Sequence, residues 1–273
     1  MNIVVVIGAG GIGRAIAHRQ GSGRTVLLAD RNPEVLAAAA EALRAAAHPV
    51  TTHPVDVAAR ESVRGLARHA AELGEVVDVV HTAGLSPVQA SPEAILAVDL
   101  VGVAIVLDEF GAVVAEGGAG LVVSSMAGHM RALAPLTADQ EHALAYTPTD
   151  ELPGLPFLSA VGDPGAAYAL AKRANHLRVQ AAAVSWGRRG ARVNAISPGI
   201  ILTPLAQEEM SGPGAAGYQA MIKHSAAGRV GTTDEVAAAA AYLLTAGFVT
   251  GSDLLIDGGV IAAMNAGELA LGS

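Results

Sequence analysis

A tyrosine followed four positions later by a lysine, in the run Tyr168-Ala169-Leu170-Ala171-Lys172, is the pattern in this chain best suited to proton transfer. On a helix that spacing stacks both side chains one turn apart on the same face. A phenol in water has a pKa of about 10 and is a poor base at neutral pH, but a neighbouring cation favours its phenolate. Lys172 is placed to be that cation. Any amphipathic helix with an exposed lysine and a half-buried tyrosine shows the same spacing, so the meaning of the pair depends on what surrounds it.

A second chemical pattern is Gly8-Ala9-Gly10-Gly11-Ile12-Gly13. A β-branched run at 2–7 precedes it and a helical pattern from Arg14 follows, which predicts strand, glycine turn and helix. Such a turn aims free N–H groups and the positive end of a helix at one point, and its glycines let a pyrophosphate approach the main chain. The next apolar run ends in Asp30, 17 residues beyond Gly13. A carboxylate there can accept hydrogen bonds from an adenosine ribose and would repel a 2′-phosphate, which favours NAD(H). Arg31 follows at once and could instead hold a 2′-phosphate, so NADP(H) stays open. Asp30 could also cap the next helix, although Asn32-Pro33 fits that task better.

The elements that must position these groups alternate. Helix is expected at 33–47, strand at 49–55, helix at 60–73 and strand at 76–82, closing in Ala83-Gly84, whose small side chains would let a planar ring lie close to the backbone. Ser91-Pro92-Glu93 reads as a helix start, and the helix is expected to run to about 116 before a strand at 121–125. Later come a helix to 187, a strand at 192–196, a variable helical stretch to about 224, a helix at 233–244 and a last strand at 254–256. This alternation predicts an α/β fold, a doubly wound parallel sheet in one domain spanning 1–273. Residues 129–163, rich in proline and without a clean period, break the rhythm and read as an ordered, lid-like insertion over the site.

Composition agrees. Of 273 residues, 52% are hydrophobic and only 15% charged, as suits a sheet buried on both faces under Ala-rich helices. A net charge of -8 argues against nucleic acid or an anionic membrane as partner. With no cysteine, thiolate metal sites and cysteine nucleophiles are excluded. The N-terminus lacks a basic region, and the weakly polar stretch 236–249 is shorter than the roughly 20 residues of a membrane span, so a cytoplasmic location is expected. The nine histidines show no metal-ligand spacing; His129 and His142 are read as surface or lid residues, and no metal is expected.

The glycine turn, His81-Thr82-Ala83-Gly84, Ser125-Met126-Ala127-Gly128, Tyr168 with Lys172, Arg192-Val193-Asn194-Ala195, Pro198-Gly199 with Thr203, and Thr250-Gly251 with Asp257-Gly258-Gly259 stand in an order that resembles the short-chain dehydrogenase/reductase family from end to end. The resemblance implies a Rossmann-type sheet of seven mostly parallel strands, order 3-2-1-4-5-6-7, and hydride transfer between a nicotinamide and an alcohol or ketone. A homo-oligomer, dimer or tetramer, is implied too. Tyr168 would be the general acid/base. Lys172 would bind the nicotinamide ribose and lower the phenol's pKa, and Ser125 would hold the substrate oxygen. Successive strand residues face opposite ways, and the family pattern picks Ser125 over Ser124. Asp56 and Val57 would contact adenine, Ala83 and Gly84 would lie along the cofactor, and Pro198, Gly199, Ile201 and Thr203 would hold the carboxamide end.

Three departures from the family pattern stand out. The glycine loop is one residue shorter, with Ile7 where a threonine is usual. The family's asparagine on the long helix, 26 positions before Ser125, is Asp99, whose carboxylate near Lys172 would raise the lysine's pKa and blunt its pull on Tyr168. Tyr168 lies 43 positions after Ser125, a far longer connection than the family's usual one. The insertion makes the chain similar to a bacterial subgroup with 3α-hydroxysteroid dehydrogenase/carbonyl reductase, and with the apolar run 152–161 it predicts a bulky apolar carbonyl or alcohol as substrate. An acyl-carrier-linked ketoacyl reductase, for which the acidic balance is unfavourable, and a non-catalytic NAD-binding sensor are the alternatives.

Overall fold

The computed structural model describes residues 1–88, 90–203, 206, 210 and 215–269. In chain order its elements are β1 (Asn2–Ile7), α1 (Gly11–Gln20), β2 (Thr25–Asp30), α2 (Pro33–Ala45), β3 (Val50–Pro54), α3 (Arg60–Leu73), β4 (Glu75–His81), α4 (Pro92–Ile95), α5 (Val103–Gly111), β5 (Val114–Val123), α6 (Ala138–Tyr146), α7 (Pro164–Gly187), β6 (Arg192–Pro198), α8 (Ala215–His224), α9 (Thr233–Thr245), β7 (Asp253–Ile256) and α10 (Val260–Asn265). All seven strands run parallel in the order β3-β2-β1-β4-β5-β6-β7, the Rossmann-type order expected. Among the described residues no helix is long and apolar enough to cross a membrane.

Alternation along β1 divides the core. Ile3, Val5 and Ile7 enter one apolar cluster, shared with α3, α5 and α7, while Val4 and Val6 enter a second on the opposite face with α1, α2 and α9. Both sets are fully buried, as a near-continuous β-branched run in a parallel sheet requires. Trp186 joins two helices of the first layer: its indole N–H donates to Leu107 O at 3.1 Å.

The helix expected from 92 to about 116 is not continuous. A π-helical stretch, Leu96–Gly102, separates α4 from α5, and the helix ends at Gly111. Val114, fully buried, starts β5 beside Val76; Gly117, with φ 77°, then lets the strand jog, and the register with β4 shifts accordingly. π-Turns of this kind widen a helix locally and collect at functional sites. This one carries Asp99.

The insertion 129–163 has a structure of its own. Thr137 and Gln140 form a reciprocal capping box that starts α6. Leu144 and Leu158 then bury themselves against Ile95, Leu100 and the α7 residues Leu170 and Leu177. Arg178, itself buried, donates from Nη1 to Ala145 O (3.2 Å) and Thr147 O (2.7 Å) and from Nη2 to Thr149 Oγ1 (2.7 Å), closing the C-terminal end of α6. On the other flank Arg60 binds Asp150 at 2.8 Å. Arg178→Met is therefore expected to leave those acceptors unpaired and lower stability by about 2–3 kcal/mol. Urea unfolding at unchanged m-value reads this; a loss below about 0.5 kcal/mol would mean the segment is anchored elsewhere.

Candidate active site

The carboxyl ends of β4, β5 and β6, with Ile12 at the start of α1, meet at one cavity of about 390 Å³. At the β1 end, Gly8 has φ 101°, and a Cβ there would stand 2.5 Å from both Ala83 N and Thr82 Oγ1. The Thr82 hydroxyl, donating to Gly8 O at 2.9 Å, stitches the glycine turn to the end of β4. A Cβ at Gly13 would collide with Gly8 O. Gly10, by contrast, faces open space and caps α1 without a side-chain hydrogen bond. The first helical bond is Arg14 N to Gly10 O, which leaves the N–H groups of Gly11, Ile12 and Gly13 outside the helical ladder. A bare, positive helix end lined by glycine fits a pyrophosphate.

Asp30 closes β2 with its carboxylate oriented: Oδ2 accepts from Ala9 N and Oδ1 from Asn32 N, both at 2.8 Å. Asn32, not Asp30, caps α2. Arg31 is exposed. Asp56 Oδ1 accepts from Ala58 N at 3.0 Å, while Val57 is buried against Gly102 of the π-turn. Ile12, Pro198, Gly199, Ile201 and Thr203 all line the cavity. A Cβ at Gly11 would stand 3.3 Å from the Thr203 methyl, so the glycine lets this far wall approach α1.

Ser125, Tyr168 and Lys172 line the same cavity. Ser125 begins a 3-10 turn, Met126–His129, and its Oγ accepts from Ala127 N at 3.2 Å. Ser124 is spent structurally: its buried hydroxyl donates to Lys172 O at 2.9 Å, tying β5 to α7. Lys172 Nζ lies 5.1 Å from the centre of the Tyr168 ring, one helical turn away, as the four-residue spacing predicts.

Asp99 meets Lys172 side chain to side chain. Its Oδ2 is 2.9 Å from Nζ, and Oδ1 accepts from Leu85 N at 2.8 Å. Both groups are buried, Asp99 completely. Burial works to lower the Lys172 pKa, but the Asp99 carboxylate and the charge of the Tyr168 oxygen outweigh it and hold the ammonium above its usual range. Burial also lifts the Asp99 carboxyl above the usual carboxylate value, against the downward pull of Lys172. Gly84 makes room for the pair, since a Cβ there would lie 3.1 Å from Asp99 Oδ2 and 3.3 Å from Lys172 Nζ. His81, fully buried, is pushed down to about 3 by burial and then by the Lys172 cation, so it is neutral.

Several residues that hold this site carry no local signal in the sequence. Asn175, fully buried on α7, turns its amide nitrogen to donate to Asp99 O (2.8 Å) and Ala171 O (3.1 Å), which fixes the π-turn against the helix. His129, read as a surface or lid residue, instead bonds Asp253 Oδ2 at 2.7 Å beside His176. From the insertion only Met130 and Leu133 reach the cavity; α6 lies against α4 and α7, so most of the segment expected to cover the mouth is a buttress behind the site. The opposite rim is made by Tyr218 and Met221 of α8.

A parallel sheet of this order, with a bare glycine turn after its first strand and a serine, tyrosine and lysine at the strand ends, defines a class of nicotinamide-dependent oxidoreductases. Comparison with known proteins agrees. Residues 2–135 match the family model described as short chain dehydrogenase, and residues 158–261 the one described as Enoyl-(Acyl carrier protein) reductase. The chain is 42% identical to the short-chain dehydrogenase/reductase bsc3 of Alternaria brassicicola, over 95% of each chain. It is 31% identical to the D-threitol dehydrogenase of Mycolicibacterium smegmatis, over 94% of this chain and 92% of that one. The fold is shared with the short-chain dehydrogenase/reductase from Serratia marcescens, with a TM-score of 0.74 at 24% identity over 95% and 97% of the two chains. The chain belongs to the short-chain dehydrogenase/reductase family, oxidoreductases that act on alcohols and ketones with NAD(H) or NADP(H).

Proposed function

We propose that this enzyme interconverts a secondary alcohol and a ketone on a bulky apolar substrate, with NAD(H) preferred, and that it works as a dimer or tetramer. The observation that carries the reading is the single cavity in which Ser125, Tyr168 and Lys172 face Ile12 and the wall from Pro198 to Thr203. A bound nicotinamide supplies or accepts the hydride. Tyr168 gives its phenolic proton to the ketone oxygen in reduction and takes it back in oxidation. Ser125 holds that oxygen in line, and the Lys172 ammonium stabilises the phenolate left behind. Asp99, itself oriented by the Leu85 N–H, fixes the ammonium, so it stays charged and does not wander. Gly11, Ile12 and Gly13 would hold the pyrophosphate, Asp30 the adenosine ribose, Asp56 and Val57 the adenine, and Ala83, Gly84, Pro198, Gly199, Ile201 and Thr203 the nicotinamide end.

The substrate end of the cavity supports an apolar ligand. Met126, Met130, Leu133 and Met221 offer large, adaptable apolar surfaces, with the Tyr218 side chain beside Met221. A polyol is the second reading, because the D-threitol dehydrogenase and a galactitol 2-dehydrogenase are similar over most of their length. Assaying a polycyclic ketone, a cyclopentanone and a keto sugar with one cofactor separates the two. The apolar reading expects kcat/KM at least about tenfold higher for the cyclic ketones, roughly the value of one or two buried methylenes; the reverse order would favour the polyol.

Cofactor choice is expected to rest on Asp30. Asp30→Ala removes the charge facing a 2′-phosphate and should narrow or invert the ratio of kcat/KM for NAD(H) over NADP(H). Both nucleotides are measured with one substrate. A wild-type preference for NADP(H) would transfer control of the strand end to Arg31.

A further inference from the structure

We propose that His129, His176 and Asp253 form a binding site for a divalent transition ion, with Zn²⁺ the best match, behind the catalytic turn. Their donor atoms all lie within 4.8 Å of one another. Asp253 Oδ2 stands 2.7 Å from His129 Nε2 and 3.6 Å from His176 Nε2. Ligand atoms around a tetrahedral zinc, each about 2.0–2.2 Å from the ion, are roughly 3.3–3.6 Å apart, so small side-chain rotations convert the present cluster into a coordination shell. Two imidazoles and one carboxylate suit zinc or cobalt and leave a fourth position for water.

The surroundings favour a built site. Ser197 donates to Asp253 Oδ1 at 2.8 Å, which orients the carboxylate and leaves Oδ2 turned to both histidines. His176 Nε2 now bonds Ser197 Oγ at 2.8 Å and would exchange that partner for the ion. Gly128 keeps room for the imidazole, because a Cβ there would lie 2.7 Å from His176 Cε1. The His129 side chain is 29% exposed, which gives the ion a way in.

The three ligands come from three separate pieces of the active-site frame. His129 ends the 3-10 turn begun at Ser125, His176 lies one turn beyond Lys172 on α7, and Asp253 opens β7. An ion at this point clamps the serine turn and the lysine helix to the edge strand. Its first effect is therefore on stability rather than on the chemical step.

The test uses the full chain without a histidine tag, stripped with a chelator and titrated with zinc chloride in a calorimeter, followed by thermal unfolding with and without one equivalent of zinc. One equivalent should bind and raise Tm, and chelator should reverse the rise. His129→Ala and Asp253→Asn should each weaken binding by more than the about 100-fold lost when a residue that only orients a ligand is removed. Both variants are first compared with the stripped wild type in chelator, so a folding defect is separated from lost affinity. Cobalt should give visible bands of a tetrahedral site in wild type and not in His129→Ala. Absence of binding would overturn the proposal and leave a hydrogen-bonded network. So would binding that survives in both variants but is lost in His48→Ala or His69→Ala, members of the other histidine pairs.

Discussion

Tyr168→Phe is expected to lower kcat by about 10³-fold or more in both directions while leaving the Kd for NAD(H) within about twofold of wild type. Only one oxygen is removed, the ring stays packed beside Lys172, and the other groups proposed to hold the nucleotide, Lys172 included, are untouched. A general acid/base contributes typically 10²–10⁴-fold, and here the same phenol must serve as acid in one direction and base in the other. Initial rates with a saturating ketone and a fluorescence titration of NADH check both halves. A phenylalanine variant with near-normal kcat would remove Tyr168 from the proton path.

The second large effect concerns Lys172, and it has a structural part that the sequence pattern alone does not announce. Lys172→Met strands the fully buried Asp99 carboxylate without its counter-charge, and breaking such a pair costs about 3–5 kcal/mol. Turnover is lost as well, because nothing is left to stabilise the phenolate. Lys172→Met combined with Asp99→Asn should recover most of the stability and none of the rate, which separates folding from chemistry. Asp99→Asn alone keeps Lys172 and removes the anion that holds its pKa up. The rising limb of the pH profile for alcohol oxidation should then move to lower pH, since the ammonium no longer shares its charge with a carboxylate. Urea unfolding and the pH dependence of kcat/KM read these outcomes; full stability in Lys172→Met would mean that Asp99 is held by other groups.

The sheet and the glycine turn were legible because their signals are local. A buried parallel strand needs a run rich in β-branched residues such as 2–7, and the turn after it needs glycine where a Cβ would strike Thr82 or Ala83. The pairing of Tyr168 with Lys172 followed from helical spacing. What stayed hidden depends on distant partners. Asp99 was visible as a departure from the family, but its direct contact with Lys172 and its support by Asn175 are set by a π-turn that no periodicity announces. The helix ending at Gly111 rather than near 116 reflects the pairing of Val114 with Val76, a tertiary preference that overrode local continuity. For α6 a local signal exists: Thr137 and Gln140 have capping-box spacing, in a stretch whose prolines break the helical period around it. The His129, His176 and Asp253 cluster spans 124 residues of sequence, and no spacing rule could have gathered it.

The most direct test follows the absorbance of reduced nicotinamide while purified enzyme meets a panel of cyclic ketones with NADH and the matching alcohols with NAD. Enzyme-dependent turnover is expected on at least one ketone–alcohol pair, with kcat/KM of about 10⁴ M⁻¹ s⁻¹ or above, and it should vanish in Tyr168→Phe. Tight binding of NADH with no oxidation by any ketone or reduction by any alcohol would contradict the account and mark the chain as a nucleotide sensor that has kept the residues of an enzyme.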